Sequence, residues 1–376
     1  MSRLNVGNLF NENEDGAPVV SGISTFSSPN YFVPPSGSTA QRPQNPGEGM
    51  IRFNTDSGHL EYYSGELWVD VIVNNQDLGD QNNSNSTGGT GTRALTGGGY
   101  NPGPGTAQDH IDYLTISTLG NAQDFGNLNS ARYAMTGFAD STRVSVAGGT
   151  PVPTNMEFVT IASTGNGTSF GTLASHGEFA SGLANRTRGI VAGGTTVNTI
   201  SYITIAQTGN SQDFGDLTVA RRRPTACASS VRGIVAGGQT INVIDYFTIS
   251  TTGNSLDFGD CISTVVTAGG CSNSVRGIFA GGSRPSPFTN ADAEFITIAS
   301  TGNSQDFGDL TVARRSLAGA SSPTRAVFMG GYATPLNYNV VDYMEIMTTG
   351  NAIDFGDLNE SFNSGKFGFS NGHGGL

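Results

Sequence analysis

From Arg93 to the C-terminus, short apolar runs alternate with glycine-rich and polar turns, and each repeating unit reads as four strands. In the fourth unit the first run is Thr225-Ala-Cys-Ala-Ser-Ser, made of small residues, and the second is Arg232-Gly-Ile-Val-Ala-Gly-Gly. The third is Ile244-Asp-Tyr-Phe-Thr-Ile and the fourth passes through Leu256-Asp-Phe-Gly-Asp. Small residues in the first run fit an innermost position, where units crowd about an axis. The third run carries an aromatic in every unit: Tyr113, Phe158, Tyr202, Tyr246, Phe295 and Tyr343. Its polar–apolar alternation is weak, as in strands covered on both faces, so these rings belong in a core between units rather than in a ligand cage.

Two markers fix the period. The run Gly-Asn-x-x-Asp-Phe-Gly-Asp-Leu reaches its Phe-Gly at Gly126, Gly171, Gly215, Gly259, Gly308 and Gly356, at intervals of 45, 44, 44, 49 and 48. A small-Gly-Gly run recurs at Gly98, Gly148, Gly193, Gly237, Gly281 and Gly330. Six four-stranded units of this length predict an all-β fold, a six-bladed β-propeller. Unit one starts at its second strand, Arg93-Ala-Leu-Thr-Gly-Gly-Gly, while Gly365-Lys-Phe-Gly-Phe-Ser is a surplus first strand at the other end. The surplus strand is expected to complete the first blade, closing the ring and removing open sheet edges.

The remainder divides into three parts. Residues 1–49 are polar and proline-punctuated and read as an extended arm; residues 50–73 read as a three-stranded β-meander, with turns at Asp56-Ser-Gly and Ser64-Gly and the only Trp, Trp68; residues 74–92 form a polar linker. So small a sheet needs a partner surface or copies of itself, which suggests a homo-oligomer, in particular a trimer.

The net charge of −12 argues against nucleic-acid binding, because phosphate neutralisation needs a basic surface. No apolar stretch is long enough for membrane insertion, and the polar start argues against Sec-type export. Cys227, Cys261 and Cys271 lack zinc spacing; Cys227 and Cys271 occupy equivalent positions in adjacent units and read as small fillers, a disulfide being the minor alternative. No metal or cofactor is expected.

Two arginine sets are candidate chemistry. Arg93, Arg143, Arg188, Arg232, Arg276 and Arg325 open the second strands, at the end where the Phe-Gly turn carries Asp124, Asp213, Asp257, Asp306 and Asp354. Planar Arg–carboxylate pairs are expected around this rim, with Arg143 the exception because its unit has Ser169 instead of Asp. The second set, Arg132, Arg221, Arg222, Arg223, Arg314 and Arg315, precedes every other first strand at the opposite end, near the loops 283–292 and 332–340. These arginines are candidates to hold an anionic or sugar ligand or a partner; the plainer reading is solvated arginines paired with nearby acids. Asp109, Asp112, Glu178 and Asp292 could reach one face, but nothing selects a glycosidase pair among them, and His59, His110, His176 and His373 show no base-and-orienter pattern.

The Gly-Gly run over residues 93–376 resembles the kelch repeat, though the usual kelch Trp is missing from all six units. Ser211-Gln-Asp-Phe-Gly, Ser255-Leu-Asp-Phe-Gly and Ser304-Gln-Asp-Phe-Gly resemble the Asp-box of sialidase-type propellers. Phe32-Val-Pro-Pro-Ser-Gly, Gly49-Met-Ile-Arg-Phe-Asn-Thr-Asp and Leu60-Glu-Tyr-Tyr-Ser-Gly-Glu-Leu-Trp-Val look like a module of bacteriophage tail-fibre and other virion proteins, especially of marine cyanophages; the Asp-Phe-Gly-Asp-Leu-Thr-x-Ala-Arg repeat resembles repeats in the same class. The resemblance implies a virion protein assembled in the host cytoplasm, an attachment arm docked on other virion proteins through residues 1–73, and a propeller shown to a host glycan, receptor or neighbouring virion protein, without catalysis. A capsid or neck decoration protein, and a sialidase-like enzyme, are the alternatives.

Overall fold

A computed structural model describes residues 34–71, 92–360 and 367–376, apart from 58, 102–104, 175, 177, 240, 265 and 285–287. The linker reading at 74–91, the arm before residue 34 and Gly365-Lys366 therefore lie outside the described residues. The chain is all-β and divides into two units, parted between Gln76 and Asp77. Seven sheets have four strands, and an eighth joins Tyr100–Asn101 to Thr106–Ala107.

The first unit holds one sheet. Ile51–Asn54, His59–Tyr63 and Trp68–Val71 form the antiparallel meander, and Ser36–Gly37 adds a parallel fourth strand against Phe53 and Asn54. The meander thus has the three expected strands, and the segment before it contributes a short fourth strand to the sheet. Polar groups decide this. Fully buried Glu61 accepts from Arg42 and Asn54 and lies 3.6 Å from Arg52, which in turn donates to the Ser38 carbonyl. Trp68 packs 5.5 Å from Tyr63. The other face leaves Ile51, Phe53 and Tyr62 exposed.

The second unit contains six four-stranded sheets, one per repeat, besides the two-stranded one. Strand order is sequential and antiparallel in sheets two to six, as in Thr225–Ala228, Arg232–Ala236, Val243–Thr248 and Leu256–Asp260 of sheet four. Sheet one takes its first strand from the C-terminus: Phe367–Ser370 pairs with Arg93–Gly97, Phe367 opposite Gly97 and Ser370 opposite Ala94. The expected loop at 332–340 is mostly strand, because Arg325–Ala333 and Leu336–Glu345 extend as a hairpin through the Tyr332–Asn337 pair.

Successive sheets are joined by three repeating devices, each running through all six and returning from sheet six to sheet one. The first is apolar. Six buried clusters each combine residues of two adjacent sheets, such as Leu95, Ile111 and Phe125 with Val144, Val146 and Val159. The second uses the repeat's Gly-Asn. The glycine N–H donates to the carbonyl of the preceding sheet's Phe at 2.8–3.0 Å, from Gly165 to Phe125 through to Gly120 on Phe355. The adjoining Asn Oδ1 accepts a backbone N–H of that same strand at 3.0–3.1 Å. This close approach explains the glycine of Phe-Gly: a Cβ on Gly171 would stand 2.1 Å from the Gly209 carbonyl oxygen.

The third device is the set of arginines opening the second strands, and here the expected Arg–Asp rim pairs do not form; the carboxylate met among the described residues is Glu345, 3.0 Å from Arg325. Each guanidinium lies 4.5–4.9 Å from its own sheet's third-strand aromatic. Each then donates at 2.9–3.3 Å to an isoleucine carbonyl of the next sheet: Arg93 to Ile161, Arg143 to Ile205, Arg188 to Ile249, Arg232 to Ile298, Arg276 to Ile346 and Arg325 to Ile116. Stacking on the ring turns the planar group away from its own sheet's turn. Asp124, Asp213, Asp257, Asp306 and Asp354 remain exposed. Arg143, expected to differ because its unit has Ser169 in place of Asp, behaves like the other five, stacking on Phe158 and donating to Ile205.

Candidate functional site

The first strands adjoin in a closed cycle and enclose the central space. Their small residues are required by crowding: a Cβ on Gly182 would meet the Gly137 oxygen at 1.8 Å. At the C-terminal ends of these strands the last residues of the chain cross the space. Gly374 N–H donates to Ser272 O, His373 Nε2 bonds Ala139 O, and Arg186 donates to the Leu376 carbonyl, so this end is plugged. Burial pulls the His373 pKa down. At the N-terminal ends the space opens into a cavity of about 110 Å³, lined in part by Phe179, Arg223, Thr267 and Ser316.

The second arginine set splits in two. Arg132, Arg221 and Arg314 are not solvated; they are essentially fully buried. Each lies under a Gly-Gly turn and meets a buried carboxylate of the following third strand: Arg132 with Glu157, Arg221 with Asp245 at 2.9 Å, and Arg314 with Asp342 at 3.1 Å. Arg132 also donates to Gly148 O and Asn155 O, and Arg221 to Gly237 O and Val243 O. Asp245 accepts further from Thr218 N and Oγ1 and from Ser255 Oγ. Burial lowers all three arginine pKa values, Arg132 to about 10, while the carboxylates of Asp245 and Asp342 oppose the shift at Arg221 and Arg314. With no route to solvent these groups are braces, which removes them from the proposed ligand face.

The alternation noted in the sequence therefore marks sheets two, four and six. Sheet three uses a neutral substitute: His176 Nδ1 meets Gly193 O at 2.8 Å and Nε2 meets Ser201 Oγ at 2.7 Å. A carbonyl only accepts, so Nδ1 carries the proton and Nε2 accepts from the serine. Burial, the dominant cause, lowers the His176 pKa against the Gly193 bond. Sheet five has Glu294, bonded to Ser304 Oγ and Ile262 N and 3.6 Å from Arg284; burial pushes its pKa up. Sheet one has Asp112, accepting from Asn359.

Arg222, Arg223 and Arg315 are half-buried beside the open end, and Arg223 lines the cavity there. The guanidinium carbons of Arg222 and Arg223 lie 4.6 and 4.2 Å from the Phe179 ring centroid, and that of Arg315 lies 5.3 Å from Tyr332. Arg222 is paired with Glu178 at 3.1 Å. Burial, then Arg222 and Arg315, pull the Arg223 pKa down. The backbone here is constrained: Ala134, Phe179, Arg223, Thr267 and Ser316 have φ of 57°, 60°, 62°, 56° and 58°. Left-handed conformations at non-glycine residues cost about 1–2 kcal/mol each. A chain of backbone bonds holds them, Phe179 N to Ala134 O, Arg223 N to Phe179 O, Thr267 N to Arg223 O and Ser316 N to Thr267 O, at 2.9–3.2 Å.

The acids considered for glycosidase work are separately engaged: Glu178 by Arg222, Asp292 by Arg284 at 2.6 Å and Asp112 by Asn359. Asp109 is exposed. Cys227, Cys261 and Cys271 are free and buried, and burial pushes Cys261 up to about 12. Among the described residues no three metal-ligating side chains gather, and no helix is long and apolar enough to cross a membrane. No protein-family model matches the chain, and no curated protein matches it.

Proposed function

We propose that the six sheets of the second unit are the blades of a six-bladed, kelch-like propeller closed by the C-terminal strand, and that this ring is the binding head of a bacteriophage virion appendage of the tail-fibre type. The observation that carries the reading is the cyclic closure of all three joining devices, with the half-buried arginines Arg222, Arg223 and Arg315 beside one open mouth. Rigid closed scaffolds place binding groups at loop ends without reorganisation on contact. Residues 1–73 dock on other virion proteins. Exposed Ile51, Phe53 and Tyr62 on the small sheet give copies of the chain an apolar face to share, in keeping with a trimer. The ring engages a host glycan, receptor or neighbouring virion protein through the arginine-bearing mouth, by adhesion and without covalent chemistry. The protein belongs to the virion and is assembled in the host cytoplasm.

Averaged electron micrographs of the assembled particle test this. The expected image is a wheel of six sectors at the free end of an appendage. Five or seven sectors would end the fold proposal, and a ring embedded in the capsid or neck would replace adhesion with decoration. Light scattering of the full chain should report three copies.

A further inference from the structure

We propose that the open mouth of the central cavity is a binding site for one small oxyanion group, a carboxylate or a sulfate, with Arg223 as its principal ligand and Arg315 as its second. The inference deepens the binding-head reading and rests on it for biological meaning only.

Arg223 lines the cavity and is half-buried, yet among the described residues no carboxylate or carbonyl accepts from its guanidinium. Glu178, the nearest candidate, is already engaged by Arg222 and the Thr150 hydroxyl. Arg315 likewise forms no ion pair among the described residues; it stacks on Tyr332. Arg223 thus faces one partly enclosed space with no carboxylate bonded to it, Arg315 stands near enough to repel it, and the one acid that acts on it, Glu178, is held by Arg222 and Thr150, in a chain whose net charge is −12. The contrast with Arg132, Arg221 and Arg314 is internal to the protein. Where the fold needs an arginine as a brace, it supplies a buried carboxylate and carbonyl acceptors.

The surroundings suit an oxyanion. The Phe179 face fixes the Arg223 plane, leaving the donor edge of its fork free to meet two oxygens. Arg223 is also held by its backbone, since its N–H and C=O are both used in the inter-sheet chain at Phe179 and Thr267. One water needs about 10–15 Å³ by the same measure that gives this cavity about 110 Å³, so a small oxyanion fits with part of its hydration. The plug at the far end, Gly374 and Gly375 against the first strands, makes the space a cul-de-sac, so a ligand enters and leaves by the arginine mouth.

The test is calorimetric titration of the purified full chain with sodium sulfate and with sodium glucuronate, against sodium chloride at matched ionic strength. The structure leads us to expect one saturable site per chain. Arg223→Asn removes the guanidinium while retaining a residue type that tolerates left-handed φ, and it should weaken binding by about 10-fold or more. Arg315→Gln should weaken it less, and Arg186→Gln, at the plugged end, should leave it unchanged. Tighter binding of glucuronate than of sulfate identifies a sugar-borne carboxylate as the natural group; the reverse order identifies a sulfate. No saturable binding by either probe, or unchanged binding by Arg223→Asn with a wild-type melting curve, overturns the site. Because the probes are free ions and the chain is isolated, the site can fail while the virion reading stands, and the converse.

Discussion

The buried Arg221–Asp245 brace can be taken apart with a replacement the protein itself provides. Asp245→Ser leaves a fully buried guanidinium without its carboxylate and strips Thr218 and Ser255 of an acceptor. Removing one side of such a pair costs about 3–5 kcal/mol. At about 2–4 °C per kcal/mol for a domain of this size class, Tm should fall by about 6–20 °C. Sheet three fills the equivalent place with His176 and Ser201, a neutral pair in which both ring nitrogens are bonded. The double variant Arg221→His, Asp245→Ser copies that solution and leaves no unpaired charge. It should recover at least half of the loss, a coupling of about 2 kcal/mol in a double-mutant cycle. Thermal unfolding followed by circular dichroism on the wild type, both single variants and the double variant at pH 7.5 is sufficient. If the double variant shows the sum of the two single losses, the two sites are not interchangeable solutions to one packing problem. A fall of less than about 2 °C for Asp245→Ser would mean that the pair is not desolvated as the structure requires.

Stability should also depend on pH through His176. Its folded pKa is depressed, so both states are neutral above the unfolded value of about 6.5, and below it the unfolded chain takes up the proton first. Stability is therefore complete above that pH and falls as pH drops, by at most about 1.4 kcal/mol per pH unit from this residue; His176→Gln should flatten the profile measured by urea titration. His373 acts in the same direction. Across one inter-sheet contact, Gly171→Ala should be clearly destabilising, by more than about 1 kcal/mol, because its Cβ meets Gly209 O and φ is 155°. Gly209→Ala has nothing within 4 Å and should be near neutral; equal effects in thermal melts would contradict the packing described. Removing residues 367–376 takes the first strand from sheet one and exposes the Arg93–Gly97 edge, so the truncated chain should melt lower and aggregate by light scattering; unchanged behaviour would deny the clasp.

The period, the four-strand unit and the surplus C-terminal strand were all legible in the chain, because each follows from local pattern. Alternating apolar runs set strands, glycine pairs set turns, and a unit lacking one strand must borrow it. Small first strands also announced which layer would be crowded, but the third-strand aromatics are mostly only half-buried under their arginines, Phe295 excepted, and the buried ring of each sheet is the Phe of Phe-Gly, from Phe125 to Phe355. What the chain could not disclose is the partner of each arginine. An Arg and an Asp at one end of a unit look like a pair, yet Arg93 meets Ile161 of the next sheet, 68 residues away, because its plane is turned by Tyr113. The Gly-Asn half of the marker hid its role for the same reason, since its bonds cross to the preceding sheet. Burial separated Arg221 from its neighbours Arg222 and Arg223, three consecutive identical side chains of which one is a brace and two lie beside the mouth. Local propensity determines elements within a unit; charge pairing depends on which units come to face each other, and that is settled only when the sheets pack.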